Sequence, residues 1–216
     1  MKDLENQIPP ASVLDLASVY RTAETSGIYK LGNVGCGAVV VERAPNAALK
    51  SWIEALDPEL LPNARGILRP DGVLKAVHQV CDQSGIPEGA ERDAFAEDIT
   101  DLSTHFAAFM NAPYLRLRLD VITTNACRKF HIDAVTARLV CTYRGQATQL
   151  AEIDASGEPG QIMSVSQGCP VVMRGTNWAG DSPTRLRHRS PPIEGTGETR
   201  LLLVLDPIYD LENDTY

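Results

Sequence analysis

The hydrophobic period of the chain changes near Pro113. Before it, apolar residues recur every three or four positions, as on one face of a helix. Leu49, Trp52, Ile53 and Leu56 follow Asn46, a suitable N-cap, and predict a helix through Ala55, which Pro58 and Pro62 then close. Asp71 can cap a second helix carrying Leu74, Val77, His78 and Cys81 and ending near Gly85. Phe95, Ile99, Leu102, Phe106 and Phe109 predict a longer helix from about Ala90 to Asn111. A short helical stretch is expected around Val13–Ala23, ended by the glycines of LGNVGCG, and a strand at Ala38–Glu42.

After Pro113 the period is two. Tyr114 to Val121 alternate as a half-buried strand does. Further strands are expected at 128–133, 137–144, 162–165, 170–174, 187–190 and 199–206, separated by Gly, Pro, Asn and Asp turns. Short strands so spaced indicate an α+β fold: an antiparallel sandwich or barrel with the helices packed outside it. One domain over 1–216 is expected, with a helix-rich part at 36–112 and a β-barrel, metal-binding part at 113–210.

Composition changes this picture little. Among 216 residues, 44% are apolar and 22% charged, which indicates neither disorder nor a fibrous repeat. The net charge of −8, with basic residues scattered apart from Arg185, Arg187 and Arg189, argues against nucleic-acid binding. No apolar run approaches 18 residues, and MKDLENQIPPAS lacks the plan of a signal peptide, so a soluble cytoplasmic protein without membrane attachment is expected. Five widely spaced cysteines without a C-x-x-C pair read as buried reduced thiols.

The chemistry concentrates in KFHID. On a strand, His131 and Asp133 would point to the same face and could chelate one ion together. His188, in RLRHRSPP, is the natural third ligand. Two imidazoles and a carboxylate that leave coordination positions open suit Fe(II) first, with Zn or Mn also accepted. The bland alternative is a hydrogen-bonded His–Asp pair in a polar core. Arg200 opens the strand RLLLVLD; buried beside a metal, it would need an anion, either an oxoacid cosubstrate or an acid such as Asp206. Arg138 and Tyr143 could likewise orient an acidic ligand, or complete a polar network. Asn177 and Trp178 could line the mouth of the site, and Ser190 with Pro191 and Pro192 would fix the backbone after His188.

KFHIDAVTARLVCTYRG, VVMRGTNWAGD, HRSPP and TRLLLVLDP together resemble an uncharacterised bacterial family, domain of unknown function 1826. The resemblance is strong over the second half and diffuse over the first. More distantly, H-x-D, a distal His and an Arg on the last strand resemble the plan of Fe(II)- and 2-oxoglutarate-dependent oxygenases. That resemblance implies a double-stranded β-helix (jelly-roll or cupin-like barrel), with His131, Asp133 and His188 on iron. Arg200 would then pair with the distal carboxylate of 2-oxoglutarate. The hydroxyl residue often found two positions after that arginine is here Leu202.

The leading expectation is therefore a dioxygenase that hydroxylates a small molecule or peptide. A non-catalytic zinc- or other metal-binding protein is the alternative, and a fourth ligand from Cys127, Cys141 or Cys169 would favour it. The third is an interaction domain without metal, and a homodimer is compatible with any of them.

Overall fold

A computed structural model describes residues 16–44, 46–180 and 184–212. The strands are β1 (Val19–Thr22), β2 (Ala38–Val41), β3 (Ala64–Leu68), β4 (Tyr114–Ile122), β5 (Ala137–Arg144), β6 (Gln149–Ile153), β7 (Pro159–Ser164), β8 (Val171–Arg174), β9 (Leu186–Arg189) and β10 (Arg200–Ile208). Three α-helices, α1 (Ala47–Ala55), α2 (Val73–Gln83) and α3 (Ala90–Met110), lie between β2 and β4. No helix among the described residues is long and apolar enough to cross a membrane.

The helices form where the pattern places them. Asn46 caps α1 by accepting from the Leu49 amide at 3.1 Å. Asp71 does not cap α2; it sits in a 3-10 turn, Pro70–Gly72, that leads straight into the helix. On α3, Phe95, Ile99, Leu102 and Phe106 are buried, and Asn111 ends the helix in the left-handed conformation at φ 50°.

Seven strands form the large sheet, in the order β1-β2-β8-β5-β10-β4-β3. All its pairings are antiparallel except β1–β2. One face packs against the helices through Leu115, Leu117 and Leu119 of β4, Leu139 and Tyr143 of β5, and Leu201, Leu203 and Leu205 of β10. The alternation expected of a strand carries Val140, Leu202 and Val204 to the opposite face, where they meet Leu150, Met163 and Leu186. Those last three belong to a small sheet, β7-β6-β9, so the two sheets enclose a second core between them. No ladder closes them into one barrel among the described residues.

Three expectations need correction. Residues 13–15 of the helical stretch lie outside the described residues, but Val19–Thr22 form β1 and Thr25–Gly32 a 3-10 helix. The segment 128–133 is not a strand; its only ladder contact is an isolated bridge between His131 and His188. Nor is the strand-forming part confined to 113–210: beside β2, which matches the strand expected at Ala38–Glu42, β1 and β3 join the same large sheet as β4, β5, β8 and β10.

Candidate metal centre

His188 stands on β9, and His131 is tied to it backbone to backbone. Each amide donates to the other's carbonyl at 3.0 Å, which sets the two imidazoles side by side with ring centroids 4.4 Å apart. Nδ1 of His131 lies 2.8 Å from the Lys129 carbonyl. A carbonyl only accepts, so that nitrogen carries the proton and Nε2 keeps its lone pair for a ligand.

Asp133 completes the group without a strand to carry it. Its loop is held from the turn after β8: Thr176 donates its amide to the Asp133 carbonyl at 2.9 Å, and Asn177 to that of Val135 at 3.1 Å. Gly175 permits this approach, since a Cβ there would lie 1.8 Å from the Val135 oxygen. The carboxylate then sits with Oδ1 3.5 Å from His131 Nε2 and Oδ2 3.0 Å from His188 Nε2. Oδ2 is buried and has no well-aligned hydrogen bond. One ligand atom from each of the three residues lies within 4.8 Å of the other two.

Arg138 fixes this carboxylate from behind. Its Nη1 is 2.7 Å from Asp133 Oδ1, while Nε and Nη2 grip the buried Asp206 carboxylate at 2.6 and 2.8 Å. Burial pushes the Asp133 pKa up, but His188, Arg138 and His131 outweigh it and hold the group down at about 2. At neutral pH Asp133 is therefore an anion facing two imidazoles, a donor set suited to a divalent ion.

The triad opens on a cavity of about 130 Å³ between the sheets, walled by Val140, Leu202, Val204 and Ile122 and reached by Arg118 and Arg189. Arg200 lies on the same face of β10, two residues beyond Leu202 and directly opposite Ile122. It is fully buried, its Nε donates to the Gln146 carbonyl at 2.6 Å, and both Nη atoms lack a partner. Burial lowers its pKa to about 10, with Glu198 opposing, so it remains a buried cation at neutral pH. Asp206 does not pair with it, being held by Arg138. Thr142, across the ladder from Leu202, is also buried with its hydroxyl unpartnered.

Residues 25–206 match the model of a family described as protein of unknown function, DUF1826. The chain belongs to this family. No curated protein matches this DUF1826 chain. Among solved structures, it is similar to dioxygenase for auxin oxidation 1 of Arabidopsis thaliana in complex with 2-oxoglutarate, at TM-score 0.51 and 12% identity over 93% of this chain and 95% of that one. The rice dioxygenase for auxin oxidation gives TM-score 0.50 and 12% identity, covering 90% and 84%. A prolyl-4-hydroxylase of Pseudomonas putida gives 0.45 and 16%, covering 87% and 100%. At such identities the first two likenesses establish the fold alone, a mixed α+β architecture with a large antiparallel sheet shared with these two dioxygenases.

In this DUF1826 protein, then, His131, Asp133 and His188 come together, with Arg138 against the carboxylate, while Arg200 lies on the same face of β10 as Leu202 but behind the residues that line the cavity. Tyr143 does not join them. It lies on the helix-packed face of β5, where its hydroxyl donates to Asp98 Oδ2 at 2.6 Å. Trp178 is turned away as well, packed on the helix-side core with the Arg174 guanidinium 4.8 Å from its ring. Asn177 serves the Asp133 loop rather than lining the cavity. Cys127 borders the cavity but falls outside the ligand cluster, and Cys141 faces the helices. Nothing in the sequence marks Thr142, because a hydroxyl within an apolar strand means little until the register opposite Leu202 is known.

Proposed function

We propose that this protein is an Fe(II)- and 2-oxoglutarate-dependent oxygenase that hydroxylates a substrate held between its two sheets. The observation that carries this reading is the combination of the open His131–Asp133–His188 cluster with a buried guanidinium whose two Nη atoms have no hydrogen-bond partner. A fully buried Arg costs several kcal/mol, on the order of magnitude expected for an uncompensated ion, unless an anion arrives to meet it. On this reading the two sheets are the walls of a double-stranded β-helix, with the His131–His188 bridge as the remnant of a strand beside β9.

His131 Nε2, Asp133 and His188 Nε2 would hold the ion and leave positions open for the cosubstrate. When bound, Fe(II) would activate dioxygen, the oxidant, with one oxygen atom going to the substrate C–H bond and the other to 2-oxoglutarate, which is released as succinate and carbon dioxide. Arg138 keeps the Asp133 carboxylate in one rotamer. The two Nη atoms of Arg200 would clamp the distal carboxylate of 2-oxoglutarate in the forked geometry that guanidinium favours. The Thr142 hydroxyl would donate a third bond, supplying from β5 the group that Leu202 does not offer on β10. Val140, Leu202 and Val204 exclude water along the way, which strengthens each of these contacts.

The test is calorimetric titration of 2-oxoglutarate into iron-loaded protein under anaerobic conditions, beside an assay of succinate release. Wild type should bind, Arg200→Gln should lose binding, and His131→Ala should lose turnover. Turnover unchanged in His131→Ala would contradict the assignment.

A further inference from the structure

The cavity carries more positive charge than the metal reading uses. Arg138 is satisfied by Asp133 and Asp206, and Arg200 is assigned to the cosubstrate. Arg118, which lines the cavity from β4, has no such role. Its Nε is buried without a partner, and its nearest carboxylate, Asp120, is 3.5 Å from Nη1. The register also sets Arg65 of β3 directly opposite Arg118, so two guanidinium groups share one rung of the ladder. Like charges directly opposite each other destabilise a sheet; here Arg118 lines the cavity and Arg65 stands exposed on the edge strand beside it, so an anion at the cavity rim would relieve the repulsion. Arg189, on the facing sheet, adds a further cation to the same cavity, its guanidinium 4.5 Å from the Phe130 ring and its Nε on Gln149.

Position separates this site from Arg200. Arg118 sits on the rung of Val204, and Arg200 on that of Ile122, four residues along β4. At about 3.3 Å per residue, the two rungs are about 13 Å apart. One small dianion anchored at Arg200 and reaching the triad leaves Arg118 for another molecule.

We propose that Arg118, with Arg65 beside it, anchors an anionic group of the substrate, which is therefore a small molecule bearing a carboxylate or a phosphate. The binding claim stands on Arg118 and Arg65; only the fate of the bound molecule rests on the oxygenase reading. Val140, Leu202 and Val204 next to the triad suit an apolar body on that molecule.

Full-length protein loaded with Mn(II) and 2-oxoglutarate would be titrated calorimetrically with butyrate, butyl phosphate and the neutral isostere butyramide. At least one anion should bind about ten-fold or more tighter than butyramide, as a charge-assisted pair implies. Which of the two anions wins distinguishes a carboxylate substrate from a phosphate one. Arg118→Gln should remove the preference, and Arg65→Gln, at an exposed edge position, should reduce it by about three-fold. Thermal melts confirm that each variant is folded. Equal affinity for anion and amide, no anion binding, or a preference that survives Arg118→Gln would overturn the proposal. So would an anion displaced by excess 2-oxoglutarate and lost in Arg200→Gln, because it would then occupy the cosubstrate position. Failure of 2-oxoglutarate to bind, with the anion preference still dependent on Arg118, removes the oxygenase reading and leaves this one standing.

Discussion

Arg200 and Thr142 carry buried polar atoms with nothing to bond, and each such atom costs about 1–3 kcal/mol in a folded chain. Thr142→Val replaces the hydroxyl with a methyl of similar size. It should leave the ligand-free melting temperature unchanged or raised, while 2-oxoglutarate binds about five-fold more weakly for one lost hydrogen bond. Arg200→Met should likewise stabilise the empty fold and abolish that binding. A melting temperature that falls in both variants would show that the groups are structural. At this scale the sequence was informative about the meeting of His131, Asp133 and His188, since ligand chemistry restricts the residue types, and about the burial of Arg200. It was less so for Arg138, which aims at Asp133 and Asp206 rather than at an external acid, and for Tyr143, whose side of β5 depends on strand phase.

The elements that position the site were less legible. Spacing His131 and Asp133 by two residues suggested a strand, yet only His131 is bridged, and Asp133 reaches the cluster because residues 175–177 hold its loop. The long helix α3 and strand β4 follow their periodicity closely because their apolar stripes are long, whereas β10 is recognisable as a continuous apolar run buried on both faces. Strands β1, β3 and β6 have only four or five residues each, and the exposed edge strand β3, ARGIL, offers no buried face to read. Gly175 shows how closely one element fits another. Gly175→Ala forces a Cβ onto the Val135 oxygen, so the 133–135 segment must shift. That should cost about 1–3 kcal/mol of stability and weaken metal binding about ten-fold or more. Metal affinity unaffected by the alanine would mean that the turn after β8 does not position Asp133.

Across the whole molecule, the two sheets and the helix layer leave the five thiols in contrasting surroundings. Cys36, Cys81, Cys141 and Cys169 are buried, and burial raises the pKa of each, that of Cys141 to about 12; Cys127 is exposed beside the cavity. Iodoacetamide should therefore label one cysteine in native protein and all five in denaturant, read by intact mass. Rapid labelling of several thiols would mean a looser core than the packing indicates. The helix layer and the strand-rich half were readable from the change of period at Pro113. The recruitment of β1, β2 and β3 into the same sheet was not, because pairing between distant segments leaves no local pattern. The central claim, that His131, Asp133 and His188 share one metal ion, is tested most directly by elemental analysis of anaerobically purified protein beside His131→Ala. Close to one iron per chain in wild type, lost in the variant, is the expected result; metal retained in full by the variant, or wild-type protein that takes up no iron when it is supplied, would contradict it.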